Sequence, residues 1–274
     1  MDSIIPTTLA EVTDALHTKE YEIIAGGTDL AIKYMNKKPP KPFLFVNNIL
    51  ELKTIKSNSN RITLGACLTL SEILNSNLDF NPLNEVVSQM SSPAIRNIAT
   101  IGGNICNASP AGDLLPLLYA LDAYLILESK LESRKISIED FIIGIKSTDL
   151  KHNEILKEIV IPKLDFDGYS YSKIGARKAN ALSKISFIAF YKLEGEIIKD
   201  IRISFGAIAP QVLRLKELEQ KIIGLSRFEA IHNIDKFKKL YKSYMNPIND
   251  QRSTSTYRKS VASNLLEHFL YNNL

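Results

Sequence analysis

The stretch Thr100-Ile101-Gly102-Gly103-Asn104, running on through Ser109-Pro110-Ala111-Gly112-Asp113-Leu114-Leu115-Pro116, decides the reading of this chain. A glycine pair lets the backbone turn tightly and aim consecutive N–H groups at an anion. A helix is expected from Asp113, with Pro116 tolerated in its first turn because the N–H it lacks has no helical partner there. Upstream, a second glycine pair stands in Ala25-Gly26-Gly27-Thr28-Asp29-Leu30. It follows Tyr21 to Ala25, an apolar run that reads as a buried strand, and opens a helix from Thr28 to about Asn36. Two such loops are suited to cradling a pyrophosphate from two sides, with the partial positive charge of a helix start beside them. An ordinary turn is the plain alternative for each. Neither pair fits G-x-G-x-x-G or G-x-x-x-x-G-K-S/T, so the two commonest nucleotide loops are absent.

Outward from these loops, the first half alternates strand-like and helix-like segments. Pro39, Pro40 and Pro42 end the first of these helices. Phe43 to Val46 and Arg61 to Gly65 read as strands around the polar turn Ser57 to Asn60. Leu83, Val86, Val87 and Met90 recur at helical spacing. Ser91 to Gly112 reads as loop-rich, and Ala123 to Leu127 as a strand. After the linker Lys163 to Gly168 the texture changes. Three β-rich runs follow, Tyr169 to Ile174, Ile185 to Leu193 and Ile201 to Ala209, and helical patterns close the chain. In the last, Tyr257, Val261, Leu265 and Phe269 predict a core-facing stripe. Strands followed by helices point to an α+β second domain.

At 274 residues the chain is long enough for about two domains, and its 45% hydrophobic content excludes a disordered or collagen-like protein. The longest apolar stretch, Leu114 to Leu127, is broken by Pro116 and Asp122 and falls short of the roughly 20 residues of a membrane helix. The start, Met-Asp-Ser-Ile-Ile-Pro, lacks the basic head and apolar run of a signal peptide, so a soluble cytoplasmic protein is expected. The net charge of +4 is mild and the lysines are scattered, which argues against nucleic acid as a partner. The only cysteines are Cys67 and Cys106, and an iron–sulfur cluster takes about four cysteine ligands, so this chain does not hold one alone. Cys67 reads as a small buried hydrophobe. None of His17, His152, His232 and His268 stands at metal-ligand spacing from another or from a cysteine, and no metal site is expected.

The order and spacing of the two glycine loops, with Ser109-Pro110-x-x-Asp113-x-x-Pro116 after the second, resemble the FAD-binding medium subunit of the xanthine oxidase family of molybdenum hydroxylases. That family includes carbon monoxide dehydrogenase, xanthine dehydrogenase, aldehyde oxidoreductase and nicotinate dehydrogenase. Further matches are Phe141-Ile142-Ile143-Gly144 leading to Glu154-Ile155-Leu156, Tyr171-Ser172-Lys173-Ile174-Gly175-Ala176-Arg177, Ile203 to Pro210, and Ser255-Thr256-Tyr257-Arg258. The resemblance covers nearly the whole chain.

The resemblance implies an α+β fold: a two-lobed α/β FAD-binding domain of the PCMH type over 1–165, then a domain of a three-stranded antiparallel sheet and helices over 166–274. It implies that Ile23, Ile24, Ala25, Gly26, Gly27, Thr28, Asp29 and Leu30 contact FAD, together with Thr100, Ile101, Gly102, Gly103 and Asn104 of the second loop. Cys106 lies beside that loop. Asp113 corresponds to an acidic ribose ligand, with a helix N-cap as its plain alternative. Lys173 corresponds to a cation near the flavin, and Leu156 to an apolar contact. Met90 stands where relatives often carry an aromatic residue against the isoalloxazine, a departure from the pattern. No histidine lies in either loop, so non-covalent FAD is expected. The implied function is electron transfer: the flavin takes electrons from 2Fe–2S clusters on a small subunit, while a molybdenum cofactor on a large subunit hydroxylates the substrate. The assembly implied is a heterotrimer or its dimer. A stand-alone FAD-dependent oxidoreductase of the same fold is the alternative reading; a nucleotide-holding module without redox chemistry and a cofactor-free scaffold are weaker ones.

Overall fold

The backbone of this computed structural model, described for residues 3–177 and 180–274, sorts into two compact units. Met1 and Asp2, where the stretch read for a signal peptide begins, lie outside the described residues. The first unit takes the chain up to Phe80, then Met90–Ser109 and Asp122–Lys163. The second takes Asn81–Gln89, Pro110–Leu121 and Leu164–Leu274. The units therefore interleave along the sequence.

In the first unit, strands Glu22–Ile24 and Phe43–Phe45 pair in parallel, joined through the helix Thr28–Tyr34. Helix Leu9–Thr18, capped by Thr8, buries Val12 and Leu16 in one apolar cluster with Leu44, Val46, Ile49 and Leu52. Five further strands form an antiparallel sheet in the order Ile55–Ser57, Arg61–Gly65, Ile155–Pro162, Tyr124–Glu128, Ser133–Ser137, and Ile142–Gly144 pairs with Ser147–Thr148 in a separate small hairpin. The turn read at Ser57 to Asn60 is closed by the Asn58 side chain, which accepts from the N–H groups of Asn60 and Arg61 at 2.9 Å each. The stretch expected to be loop-rich contains two short helices, Pro93–Arg96 and Ile101–Cys106. Ser92 and Thr100 cap them, and Pro93 stands where a missing N–H does no harm. The signals were local, but helices this short carry no periodicity to find.

In the second unit, strands Gly168–Ile174, Ile185–Glu194 and Ile197–Gly206 form the expected antiparallel meander, and the short strand Leu213–Arg214 adds a fourth at the edge. The last long strand ends at Gly206, short of Ala209, because Ala207 is left-handed (φ 61°) and cannot continue the pleat. Helices Asn81–Ser88 and Leu114–Ala120 pack with this sheet; every side chain of the second is buried. Helix Ser255–Asn272 covers the core with Ala262, Leu266, Phe269 and Leu270. The predicted stripe is shifted: Tyr257 is 43% exposed, while Arg258 beside it is buried. A strict four-residue repeat advances 400° and drifts about 40° per step around a 3.6-residue helix, so it leaves the core face before four repeats are done. Among the described residues no helix is long and apolar enough to cross a membrane.

Candidate functional site

Where the strand Glu22–Ile24 ends, the first glycine pair turns the chain into helix Thr28–Tyr34. Gly26 lies flush against another segment: a Cβ there would come 2.1 Å from the carbonyl oxygen of Ile98. Gly27 takes φ 69°, a left-handed conformation that disfavours any side chain. The N–H groups of Gly27, Thr28, Asp29 and Leu30 have no acceptor among the described residues. They form the run of outward donors that an anion requires, at the C-terminal end of a parallel strand pair, where α/β sheets place their ligands. The Asp29 carboxylate is drawn to Lys146 Nζ (3.0 Å), which also donates to Asn107 Oδ1 (2.6 Å).

The second glycine pair works differently. The N–H of Ile101 donates to Leu68 O (3.0 Å), that of Gly102 to Ala66 O (2.9 Å), and that of Asn104 to Thr100 O (3.0 Å). Gly103 N–H is taken by the Thr100 side chain (3.1 Å). This is a correction to the expectation from glycine geometry: all four donors are spent inside the chain. Gly102 is needed for close approach, since a Cβ there would meet Ala66 O at 2.6 Å. What the element leaves free is the buried Oδ1 of Asn104, which has no partner.

Two adjoining clefts open between these elements. One, of about 450 Å³, is apolar, lined by Ile23, Ala25, Val46, Leu150, Ile155 and Leu156 with Gly102, Gly103 and Cys106 along one side. The other, of about 430 Å³, is polar, lined by Gly26, Thr100, Asn47, Asn48, Lys53, Thr69 and Asn97. Ala25 and Cys67 belong to both. The structure thus gathers Ile23, Ala25, Gly26, Thr100, Gly102, Gly103, Cys106 and Leu156. Ile24, Gly27, Thr28, Asp29, Leu30, Ile101 and Asn104 belong to the same loops without lining either cleft. Met90 is buried in the same unit and lines neither; its carbonyl accepts from Arg96 Nη1 at 2.8 Å. Asn47, Asn48, Lys53, Thr69 and Asn97 were not singled out from sequence. Only Asn47-Asn48 carried a signal, a polar pair directly after an apolar strand. Burial pushes both thiols, Cys67 and Cys106, up to about 12.

In the second unit, Asp113 and Lys173 meet in one ion pair. Lys173 Nζ lies 2.7 Å from Asp113 Oδ2 and 2.8 Å from Gln89 O, with both side chains under 10% exposed. Ser183 Oγ donates to Asp113 Oδ1. Asp113 does stand at the N-cap of helix Leu114–Ala120, but its backbone is helical and its side chain makes no cap bond. The carboxylate is committed to Lys173 and Ser183 instead. Tyr171, on the same face of its strand as Lys173, has a buried hydroxyl without a partner. Burial, then the charges of Asp113 and Glu85, raise its pKa. Tyr169 donates to Glu85 (2.8 Å), and burial with that contact pushes it up to about 12.

Comparison with known proteins bears on both units. Residues 1–164 match the family described as the FAD binding domain in molybdopterin dehydrogenase, and residues 170–272 match the CO dehydrogenase flavoprotein C-terminal domain. The glyceraldehyde dehydrogenase medium chain of Sulfolobus acidocaldarius is 30% identical over 87% of this chain and 85% of its own. The nicotinate dehydrogenase FAD-subunit of Eubacterium barkeri is 32% identical over 80% of this chain and 78% of its own. A solved carbon monoxide dehydrogenase from Hydrogenophaga pseudoflava shares the fold, with a TM-score of 0.90 at 22% identity over 98% of this chain and 95% of that one. With both halves matched in order and full-length relatives named as dehydrogenase chains, this protein belongs to the family of FAD-binding medium subunits of molybdenum hydroxylase-type dehydrogenases.

Proposed function

We propose that this chain is the FAD-carrying electron-transfer subunit of a molybdenum-dependent dehydrogenase complex. FAD, when bound, supplies the redox chemistry, accepting electrons and handing them to an external acceptor. The observation that carries the reading is the run of unpaired N–H groups at Gly27, Thr28, Asp29 and Leu30, in the unit that contains an apolar cleft. The residues fit the cofactor: the donors suit a pyrophosphate, the apolar walls suit a flat ring, and Asn104 Oδ1 is a buried acceptor still to be satisfied. Lys146 supports this by holding the Asp29 carboxylate, which would otherwise compete with phosphate for the same donors. Roles for Asp113 and Lys173 at the ribose and near the flavin, and for Met90 at the ring, rest on the resemblance alone.

With two cysteines, the chain lacks the ligands for its own cluster. Electrons therefore enter from another polypeptide, assigned here as a small subunit carrying 2Fe–2S clusters. A large molybdopterin-binding subunit is the third member, in a heterotrimer or its dimer. The test is purification from the native source. The expected result is co-purification of two further subunits with molybdenum and iron, and release of FAD into the supernatant on acid precipitation. A homomeric, metal-free preparation that oxidises a substrate at full rate would overturn this reading in favour of a stand-alone flavoenzyme.

A further inference from the structure

Glu154 opens the Glu154-Ile155-Leu156 motif, yet it touches neither cleft. Its side chain is 2% exposed and faces Arg134, on the edge strand Ser133–Ser137. Arg134 Nε donates to Glu154 Oε1 at 2.6 Å and Nη2 to Oε2 at 2.8 Å, a two-pronged match of guanidinium and carboxylate. The same guanidinium reaches Asp149: Nη1 donates to Oδ2 at 2.8 Å and Nη2 to the backbone oxygen at 2.7 Å. Glu154 Oε2 also accepts from the N–H of Lys151 at 2.9 Å. One side chain thus closes both ends of the turn 149–154, which has no helix or strand of its own. That turn carries Leu150, and the chain leaves it directly into Ile155 and Leu156. All three line the apolar cleft.

We propose that Arg134 and Glu154 are positioning residues for the cofactor cleft. The fork sets where Leu150, Ile155 and Leu156 stand, and through them the affinity for FAD. This rests on the reading of the cleft as a FAD site. The geometry favours a positioning role over bulk stabilisation because the clamp's hydrogen bonds all end within 149–154, and three neighbouring residues line the cleft. Lysine in place of Arg134 keeps the charge but cannot grip two carboxylates and a carbonyl at once.

The experiment uses the full chain, stripped of flavin and titrated with FAD by fluorescence quenching, alongside thermal melting and the visible circular dichroism of bound flavin. Wild type is expected to bind FAD. Arg134→Lys and Glu154→Gln are expected to weaken binding at least tenfold and to alter the flavin dichroism, as is Leu150→Ala, which trims the wall without touching the clamp. Asp149→Asn, at a side chain 45% exposed, is the milder variant should the others not fold, and is expected to weaken binding a few-fold. Lower melting temperatures with an unchanged FAD affinity in the clamp variants would overturn the proposal and leave the pair purely structural. Weaker binding in Leu150→Ala but not in the clamp variants would likewise overturn it while sparing the cleft. Failure of wild type to bind FAD would instead remove the functional reading itself.

Discussion

Gly27 and Asp113 were both singled out for a ligand, and the fold sets further demands on each. At Gly27 the left-handed backbone penalises any side chain by about 1–2 kcal/mol. Gly27→Val is therefore expected to lower denaturant stability by that amount and to strip FAD from the purified protein. Unchanged flavin content would sink its role in the cradle. Gly26→Ala, whose methyl group meets the Ile98 carbonyl, is expected to destabilise by about 1–3 kcal/mol through overpacking. Removing Asp113 leaves the nearly buried Lys173 ammonium with the Gln89 carbonyl as its acceptor and no counter-charge from Asp113. Breaking one side of a buried pair costs about 3–5 kcal/mol, so Asp113→Ala is expected to melt earlier in urea even without flavin. Equal apo stability would show the pair to be energetically idle. The two thiols, pushed up to about 12, are expected to resist iodoacetamide at pH 8 until the chain is unfolded, as mass spectrometry would read.

At the scale of elements, the closing helix shows how far periodicity reaches. The pattern located a helix at Ser255–Asn272 and put Phe269 in the core, but it centred the face one residue early. Leu266→Ala is accordingly expected to cost about 2–5 kcal/mol and Tyr257→Ala within about 0.5 kcal/mol, measured by chemical denaturation. Arg258, a buried arginine of that helix, donates to the carbonyls of Lys184 (2.8 Å) and Ala207 (3.2 Å) and to Asp250 Oδ1 (2.8 Å). Burial by itself would raise the Asp250 carboxyl. The side chain of Arg252, the N–H groups of Arg252 and Ser253, and the Arg258 charge outweigh it and hold the group at about 2. A carboxyl lowered in the folded state contributes stability that is complete above its unfolded pKa near 3.9 and lost as pH falls through the folded one. Stability is therefore expected to drop between about pH 4 and pH 2, and Asp250→Asn to flatten that part of the profile. An identical acid limb in the variant would refute the assignment.

For the whole molecule, FAD binding to the folded chain alone adds stability by mass action, about 2.7 kcal/mol at a hundred times the dissociation constant. A melting temperature that rises with added FAD, and flavin freed by acid, are the expected outcomes; flavin retained on the denatured chain would contradict the non-covalent reading. What the sequence determined by itself is what short-range chemistry encodes: the strand–glycine–helix at residues 22–34, the three-stranded meander after Gly168, and the ordered motifs that resemble the family. Only the tertiary structure decided the rest. It assigned Asn81–Gln89 and Pro110–Leu121 to the second unit, because their apolar side chains pack on strands far along the chain. It joined Asp113 to Lys173, and Arg134 to Glu154, across separations that no spacing rule spans. It also divided two look-alike glycine pairs into one that leaves its N–H donors free and one that spends them on Leu68, Ala66 and Thr100. Propensity and periodicity act over a few residues, whereas whether a donor is free depends on which distant carbonyl the fold brings within 3 Å of it.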